Sequence, residues 1–203
     1  MAKAGRPKEF ERGVALAEAA KVFWQQGYAA TSMDDLGKAM GLNRPSIYNA
    51  FGNKAALYRE SLALFCGQLD QGIERCIADT ENLQKGLVQF FDQALEVYCS
   101  SEPNLGCLMM CTAPAEAINL AEIKDDLSGL IKRVDKAFET SLQAALARGE
   151  LAPDSNTKML AINLQATLHS IALRSRAGDS KQSLKKYARF AVAQLPWTKS
   201  TRT

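Results

Sequence analysis

The stretch GLNRPSIYNAFGNK, residues 41–54, decides the fold of the first quarter of the chain. Gly41 and Gly52 leave room for about two helical turns between them. Pro45 stands in the first of these turns, where its missing N–H costs nothing. A helix this short is marginal by itself in water. Neighbouring helices must therefore hold it, which leaves one of its faces for another molecule.

The residues upstream predict the two helices that hold it. Apolar residues within 9–26 recur at the i, i+3, i+4, i+7 spacing of an amphipathic helix, which Gly27 would end. Thr31 and Ser32 offer an N-cap for a second helix that ends near Met40. Two short helices joined by a glycine-containing turn predict a helix-turn-helix.

The outer face of the third helix suits DNA. Arg44, Ser46, Tyr48 and Asn49 offer phosphate and base-edge chemistry on a short rod that fits a major groove. Residues 1–55 also hold 8 Lys/Arg against 5 Asp/Glu, whereas the remainder holds 17 of each. Short helical hairpins occur in many folds, and a charge imbalance can arise by chance. The spacing, the charge and the polar face together favour DNA reading.

The apolar period stays helical along the rest of the chain and predicts an all-α fold of about nine helices. We find no convincing strand and no internal repeat. The predicted domains are a helix-turn-helix DNA-binding domain over 1–55 and a helical regulatory and dimerisation domain over 56–203. The predicted helices cover about 9–26, 32–40, 43–52, 54–79, 83–99, a segment from 107, 123–148, 156–177 and 183–195.

The last two predicted helices indicate a homodimer. The helix near 156–177 is apolar on most sides, so it must be buried on more than one side. A partner subunit is a natural second cover, and with the helix near 183–195 it would form a four-helix interface. A wholly internal core helix is the alternative. One stripe is Leu160, Leu164, Leu168 and Ile171; a second covers Met159, Ile162, Ala166 and Leu173; the last helix adds Leu184, Ala188, Ala191 and Leu195.

The stretch ATSMDDLGKAMGLNRPSIYNAFGNKAALY, residues 30–58, resembles the DNA-binding signature of the tetracycline-repressor (TetR) family of bacterial transcription regulators. The resemblance covers roughly residues 9–60 and implies an all-helical homodimer. Such a protein represses transcription by binding a palindromic double-stranded DNA operator, and it releases the operator on sensing a ligand or a chemical stress. Pro45 departs from the pattern, where a small residue is commoner. The matching residues are Thr31, Gly41, Leu42, Arg44, Ile47, Tyr48, Phe51, Lys54 and Leu57.

The predicted DNA-contact residues come from the outer face of the third helix, from this resemblance and from the N-terminal arm. Gly5-Arg6-Pro7-Lys8 resembles the core of minor-groove AT-hook arms. A disordered tail solubilised by its charge is the alternative. The full predicted set is Arg6, Thr31, Ser32, Asn43, Arg44, Pro45, Ser46, Tyr48, Asn49 and Lys54.

The sequence NLGCLMMC, residues 104–111, predicts a sensor in the second domain. Cys107 follows a glycine at an expected helix start, where the helix dipole favours a thiolate, and Cys111 lies one turn on. This start is similar to that of TetR-like repressors that sense electrophiles or oxidants through cysteine. A small buried hydrophobe is the alternative reading of Cys107. The candidate ligand or sensor residues are Cys107, Cys111, Phe91, Tyr98, Met110 and His169; Phe90 and Met109 are further candidates for the lining of a pocket.

The remaining composition argues against other classes of protein. Five scattered cysteines, no CxxC pair and one histidine give no basis for a disulfide framework or a metal site, and no cofactor is expected. A cysteine enzyme with Cys107 as nucleophile and His169 as base lacks an oxyanion motif. No run of about 18 apolar residues predicts a membrane span, and the polar N-terminus lacks a secretory h-region. We therefore expect a cytoplasmic binding protein, not an enzyme.

Overall fold

Helices make up almost all the regular structure of the computed structural model, which describes residues 11–78 and 80–198. Within these ranges the nine α-helices confirm the predicted all-α fold, and a single β-bridge joins Leu151 to Trp197. One π-helical turn, Glu74–Ala78, follows α4. The helices are α1 Arg12–Ala30, α2 Met33–Met40, α3 Arg44–Phe51, α4 Lys54–Ile73, α5 Leu83–Tyr98, α6 Leu108–Glu116, α7 Ala121–Ala147, α8 Thr157–Arg176 and α9 Lys181–Ala193.

The predicted ends of α2, α3, α5 and α8 agree with these bounds to within one residue, whereas α1, α4, α7 and α9 differ by more. α1 begins at Arg12, after the predicted residue 9, and α9 begins and ends two residues before its predicted bounds. Gly27 has φ +78° and interrupts α1 with a kink, but a further short segment continues to Ala30. The α-helical geometry of α4 ends at Ile73, because the chain widens into the π-helical turn there; Asp79 lies outside the described residues. The start of α7 is Ala121, slightly before the predicted residue 123.

Contacts divide the chain after Leu64 into two units. The first unit contains α1, α2, α3 and the first part of α4. Its helices share a core whose largest fully buried side chains include Phe23, Leu36, Ile47 and Tyr58. The rings of Phe23 and Tyr58 meet edge to face, with centroids 5.0 Å apart. This core supplies the packing that the short helix α3 requires.

The second unit begins at Phe65 and contains the end of α4, the π-helical turn and α5 to α9. α8 packs against α5, α6, α7 and α9, so it lies at the centre of this unit. Aromatic rings fill the space between α5 and α7, where the ring of Phe90 meets that of Phe138 edge to face at 5.5 Å. The predicted domain boundary at 55/56 stays a prediction about where DNA binding ends.

Candidate nucleic-acid interface and ligand cavity

α2 is fixed at both ends by its own sequence. The Ser32 hydroxyl accepts a hydrogen bond from the backbone N–H of Asp35 at 3.1 Å, and the Asp35 carboxylate accepts one from the N–H of Ser32 at 3.0 Å. This reciprocal pair is a capping box. At the other end, Gly41 has φ +65°, a left-handed conformation that favours glycine. The turn toward α3 therefore begins at a defined residue.

Gly37 lets α2 approach the turn that leads into α3. The N–H of Leu42 donates to the Gly37 carbonyl at 3.0 Å. A Cβ atom at residue 37 would lie 2.8 Å from the Leu42 carbonyl oxygen, closer than real Cβ contacts. The absence of a side chain at Gly37 therefore permits this close approach, which sets the geometry of the helix-turn-helix.

α3 is held from inside and capped at its start, which exposes a polar outer face. The side-chain oxygen of Asn43 accepts from the N–H of Ser46 at 2.9 Å, and Pro45 lies in the first turn. Ile47 and Phe51 are buried. Outward, Arg44, Pro45, Tyr48 and Asn49 are exposed, Ser46 is half-buried, and Tyr48 keeps 49% of its surface accessible. An exposed tyrosine in the middle of a short helix suits a contact with another molecule.

Arg44 is positioned by a bidentate ion pair with Asp34 of α2. Its Nε donates to Asp34 Oδ1 at 2.8 Å and its Nη2 to Oδ2 at 2.6 Å. The hydrogen bond from Arg44 lowers the pKa of the Asp34 carboxyl, although both side chains are exposed. Sequence reasoning missed this pair, because ten residues and a turn separate the partners and no helical spacing links them.

Two further contacts join the ends of the helices in the first unit. Lys54 Nζ lies over the Tyr28 ring, 4.4 Å from its centroid. Arg12 donates to Glu60 at 2.7 Å and lies 4.5 Å from the centroid of the Phe51 ring, so it connects α1, α3 and α4. Neither contact has a local sequence signal, because the partners are far apart along the chain.

Two residues of the predicted DNA-contact set, Thr31 and Ser32, lie at the junction between α1 and α2. Thr31 is 1% exposed, and its hydroxyl donates to the Gly27 carbonyl at 2.6 Å. The expectation that its side chain faces DNA is therefore wrong, since it holds the end of α1 instead. Ser32 is exposed and provides the N-cap of α2. Arg6 lies outside the described residues.

Two family models match the chain over most of its length. One, described as bacterial regulatory proteins of the tetR family, matches residues 15–61, and a tetracyclin repressor-like C-terminal domain matches residues 83–191. The chain belongs to the TetR family. It is a transcriptional regulator with an N-terminal helix-turn-helix and a helical C-terminal domain.

Individual TetR-family proteins align with nearly the whole chain. The HTH-type transcriptional repressor ComR of Escherichia coli (strain K12) is 29% identical over 193 residues, which cover 95% of this chain and 92% of ComR. A cysteine mutant of the TetR family regulator CifR, solved with 26-bp double-strand operator DNA, is 27% identical with a TM-score of 0.83, covering 95% of this chain and 100% of that one. Reduced E. coli NemR, 18% identical with a TM-score of 0.76 over 89% of this chain and 94% of its own, shares the fold.

The cysteine chemistry of this TetR-family chain differs from the prediction. Cys107 is the N-cap of α6, as expected, but it is only 3% exposed. Burial raises the pKa of its thiol to about 12. The expectation of an accessible thiolate is therefore wrong, because desolvation outweighs the helix dipole. Cys111 is half-buried; burial raises the pKa of its thiol too, while Arg176 opposes that rise.

His169 interacts with Asp135 rather than with Cys107. It is half-buried in α8, where burial lowers the pKa of its imidazole and the charge of Asp135 opposes this. Burial raises the pKa of Asp135, whose Oδ1 has no hydrogen-bond partner among the described residues. The groups whose charge influences the pKa of the Cys107 thiol are instead Cys111 and Cys66. A nucleophile–base pair between Cys107 and His169 therefore has no support.

A cavity of about 220 Å³ lies between α4 and α5. Of the aromatic and sulfur residues that were pocket candidates, Phe90 and Tyr98 line it. Phe91 turns into the core, because neighbouring helical residues point about 100° apart, and Met110 of α6 and His169 of α8 do not line it either. The described lining residues are Phe65, Gln68, Leu69, Gln71, Gly72, Arg75, Phe90, Gln93, Ala94, Val97 and Tyr98.

The second unit also exposes an apolar surface on α8 and α9. Leu164 and Leu168 of α8, with Leu184 and Ala188 of α9, are buried within the subunit. The first apolar stripe of α8 and the stripe of α9 are thus mostly internal. The second stripe of α8 faces outward instead. The exposed large apolar residues on these helices are Met159, Ile162, Leu173, Tyr187 and Phe190. None of the helices in the described ranges has the length and apolarity to cross a membrane.

Proposed function

We propose that this protein is a homodimeric repressor that binds a palindromic double-stranded DNA operator through α3. The observation that carries this proposal is the capped, inward-packed helix α3 with an exposed polar face. The repressor ComR and the operator complex of CifR support it, since both align with almost the whole chain. A bacterial regulator of this kind acts in the cytoplasm, where the DNA is.

The proposed contacts divide into base readers and phosphate binders. Arg44, Ser46 and Asn49 can donate to base edges in a major groove, and Asp34 holds Arg44 in position for this. The Tyr48 hydroxyl and the Lys54 ammonium suit phosphates, which fix register but carry no sequence information. The starts of α2 and α3 would approach the DNA backbone, and they are shaped by Ser32, Asn43 and Pro45. Thr31 contributes through packing, and Arg6 is proposed for the minor groove.

We infer that a partner subunit covers the outer faces of α8 and α9. Met159, Ile162, Leu173, Tyr187 and Phe190 lie on these two helices and are exposed, and a monomer rarely leaves a large apolar patch in water. A four-helix interface formed by α8 and α9 of both subunits would bury this patch and pair the two DNA-reading units. Two recognition helices would then meet half-sites about 34–36 Å apart, or a multiple of that.

The inducing signal is proposed to be a small molecule or a thiol-reactive compound that acts on the second unit. Since burial suppresses the thiolate of Cys107, a thiol signal would need Cys111 or a transient opening of α6. The same burial disfavours a cysteine enzyme, and we infer that the protein is not one. Mass spectrometry after N-ethylmaleimide treatment at pH 8 should show Cys111 modified before Cys107. Faster modification of Cys107 would contradict this order.

The test of DNA binding starts from fragments recovered by the protein from a random genomic pool. On the recovered operator, log affinity should fall linearly with log salt, as counterion release requires. The double variant Tyr48→Ala with Lys54→Ala should weaken binding to all sequences alike. Lys21→Ala is the matched control for a lost surface charge in the same unit, because Lys21 of α1 pairs with Glu18 and is exposed. Unchanged binding by the double variant would refute the assignment.

A further inference from the structure

The cavity between α4 and α5 has an apolar interior and a polar mouth. Phe65, Phe90, Ala94 and Tyr98 are buried and line the interior. The polar lining residues are exposed: Gln68, Gln71, Arg75 and Gln93. A ligand would therefore enter with its apolar part first and leave one polar end at the mouth.

The mouth is rich in hydrogen-bond donors. Arg75 Nε donates to the Gln71 carbonyl at 3.2 Å, and its Nη2 donates to Gln93 Oε1 at 3.4 Å. A guanidinium has five N–H donors, so further donors remain after these two bonds. Because Arg75 occupies Oε1 of Gln93, the other end of that amide offers its NH₂ group. Among the described residues that line the cavity, Arg75 is the one charged side chain.

The backbone places Arg75 at this mouth by an unusual route. It lies in the π-helical turn Glu74–Ala78, and π-helical turns are frequent at functional sites. A Cβ on Gly86 of α5 would collide with the Cys76 carbonyl, so the turn packs directly against α5. Arg75 therefore lies just after α4, where the helical turn is wider and the backbone packs against α5.

The cavity also has room that a side chain would remove. Gly72 lies in its wall, and a Cβ there would be 3.7 Å from two atoms of the Phe90 ring, an ordinary contact. The volume of about 220 Å³ corresponds to roughly seven water molecules, which suits an apolar body of about ten non-hydrogen atoms.

We propose that this cavity binds an apolar monocarboxylate, with its hydrocarbon body between Phe65, Phe90 and Val97 and its carboxylate on Arg75. A carboxylate accepts hydrogen bonds without donating any, and the planar guanidinium matches it with two parallel N–H groups. One arginine balances one negative charge, and no carboxylate among the described lining residues opposes it. The inference rests on the proposed function, since the bound carboxylate would be the inducer of the regulator.

Calorimetry with octanoate and octanamide tests the proposed ligand class. The two probes have the same shape and differ in charge. Wild-type protein should bind octanoate about tenfold or more tightly than octanamide, because a charge-assisted pair is replaced by a neutral one. Arg75→Gln should abolish that preference, and Gly72→Leu should weaken both probes by filling the cavity. Arg189→Gln, which removes an exposed arginine paired with Asp92 of α5, is the control and should bind like the wild type.

Three outcomes would overturn the proposal: equal binding of the two probes, no octanoate binding by the wild type, or octanoate binding unchanged in Arg75→Gln. Tighter binding of octylamine than of octanoate would also contradict it. Operator binding by the same samples separates this inference from the proposed function. Protein that binds the operator but not octanoate refutes the ligand class alone, whereas protein that binds no DNA refutes the regulator.

Discussion

α3 and α8 expose faces of opposite chemistry. Each buries one face in its own unit and turns another face outward. α3 has 8 residues and presents arginine, tyrosine and asparagine. α8 has 20 residues and presents methionine, isoleucine and leucine. The polar outer face suits a hydrated, charged nucleic acid, and the apolar one suits a protein surface that excludes water.

The two helices also differ in how they are held in place. α3 is too short to be stable alone and depends on the Asn43 cap, on two buried side chains and on the close turn at Gly37. α8 is surrounded by four helices of its unit, so its position does not depend on any single contact. Substitutions on the inner face of α8 should therefore affect folding, and those on its outer face should affect assembly. Substitutions on the outer face of α3 should affect DNA binding.

The largest expected effect is on the inner face of α8. Leu164→Glu places a carboxylate in a fully packed site, and we expect a loss of about 3–5 kcal/mol in the free energy of unfolding. Thermal denaturation followed by circular dichroism would measure it. Asn163→Glu, at the exposed neighbouring position of α8, is the matched control and should keep the melting temperature of the wild type. Equal destabilisation by both variants would break the distinction between the two faces.

The next effect concerns assembly. Phe190 of α9 is 62% exposed, the most exposed large apolar residue on α8 or α9. Phe190→Glu should weaken the proposed dimer by about 2–4 kcal/mol, the range of a central interface residue. Sedimentation velocity at micromolar concentration would show monomers. Gln84→Glu, an exposed position of α5, should leave the dimer intact. A wild-type protein that sediments as a monomer would refute the interface.

A smaller effect is expected where α2 meets the turn into α3. Gly37→Ala puts a Cβ 2.8 Å from the Leu42 carbonyl, and overpacking of this kind costs about 1–3 kcal/mol. Operator affinity should fall while the far-UV circular dichroism of the second unit persists. Gly67→Ala in α4 is the control, because a Cβ there meets nothing within 4 Å. Similar operator affinity in both variants would show that the turn tolerates the extra atom.

An effect of similar size, but confined to the contact with DNA, is expected on base reading. Arg44→Ala should lower affinity for the operator by about 1–3 kcal/mol and relax preference at one base pair. Asp34→Asn should weaken the positioning of Arg44 and produce part of that loss. Fluorescence anisotropy on the operator and on single-base variants would measure both. If Arg44→Ala weakens all sequences equally, Arg44 binds phosphate and the readout falls to Ser46 and Asn49.

Some features of this protein followed from the sequence alone. Helical periodicity, glycine positions and the N-cap offered by Thr31 and Ser32 predicted the helices, because these signals act within one or two turns of the chain. The spacing between Thr31 and Leu57 carried the resemblance to the TetR family. The apolar residues around most of α8 predicted burial on more than one side; its inner side is buried in the structure, and cover of its outer side stays a prediction.

Other features were decided only by the tertiary structure, because they depend on residues far apart in the chain. Periodicity shows that α8 has two apolar stripes, but it does not show which stripe is buried within its own unit. Packing against four helices buries Leu164 and leaves Ile162 exposed. A helix start favours a thiolate at Cys107, but burial in the core reverses that preference. Arg44 meets Asp34, and Arg75 meets Gln93, only when separate elements pack side by side. Local sequence therefore determined which helices form, and long-range burial decided which of their side chains remain available for chemistry.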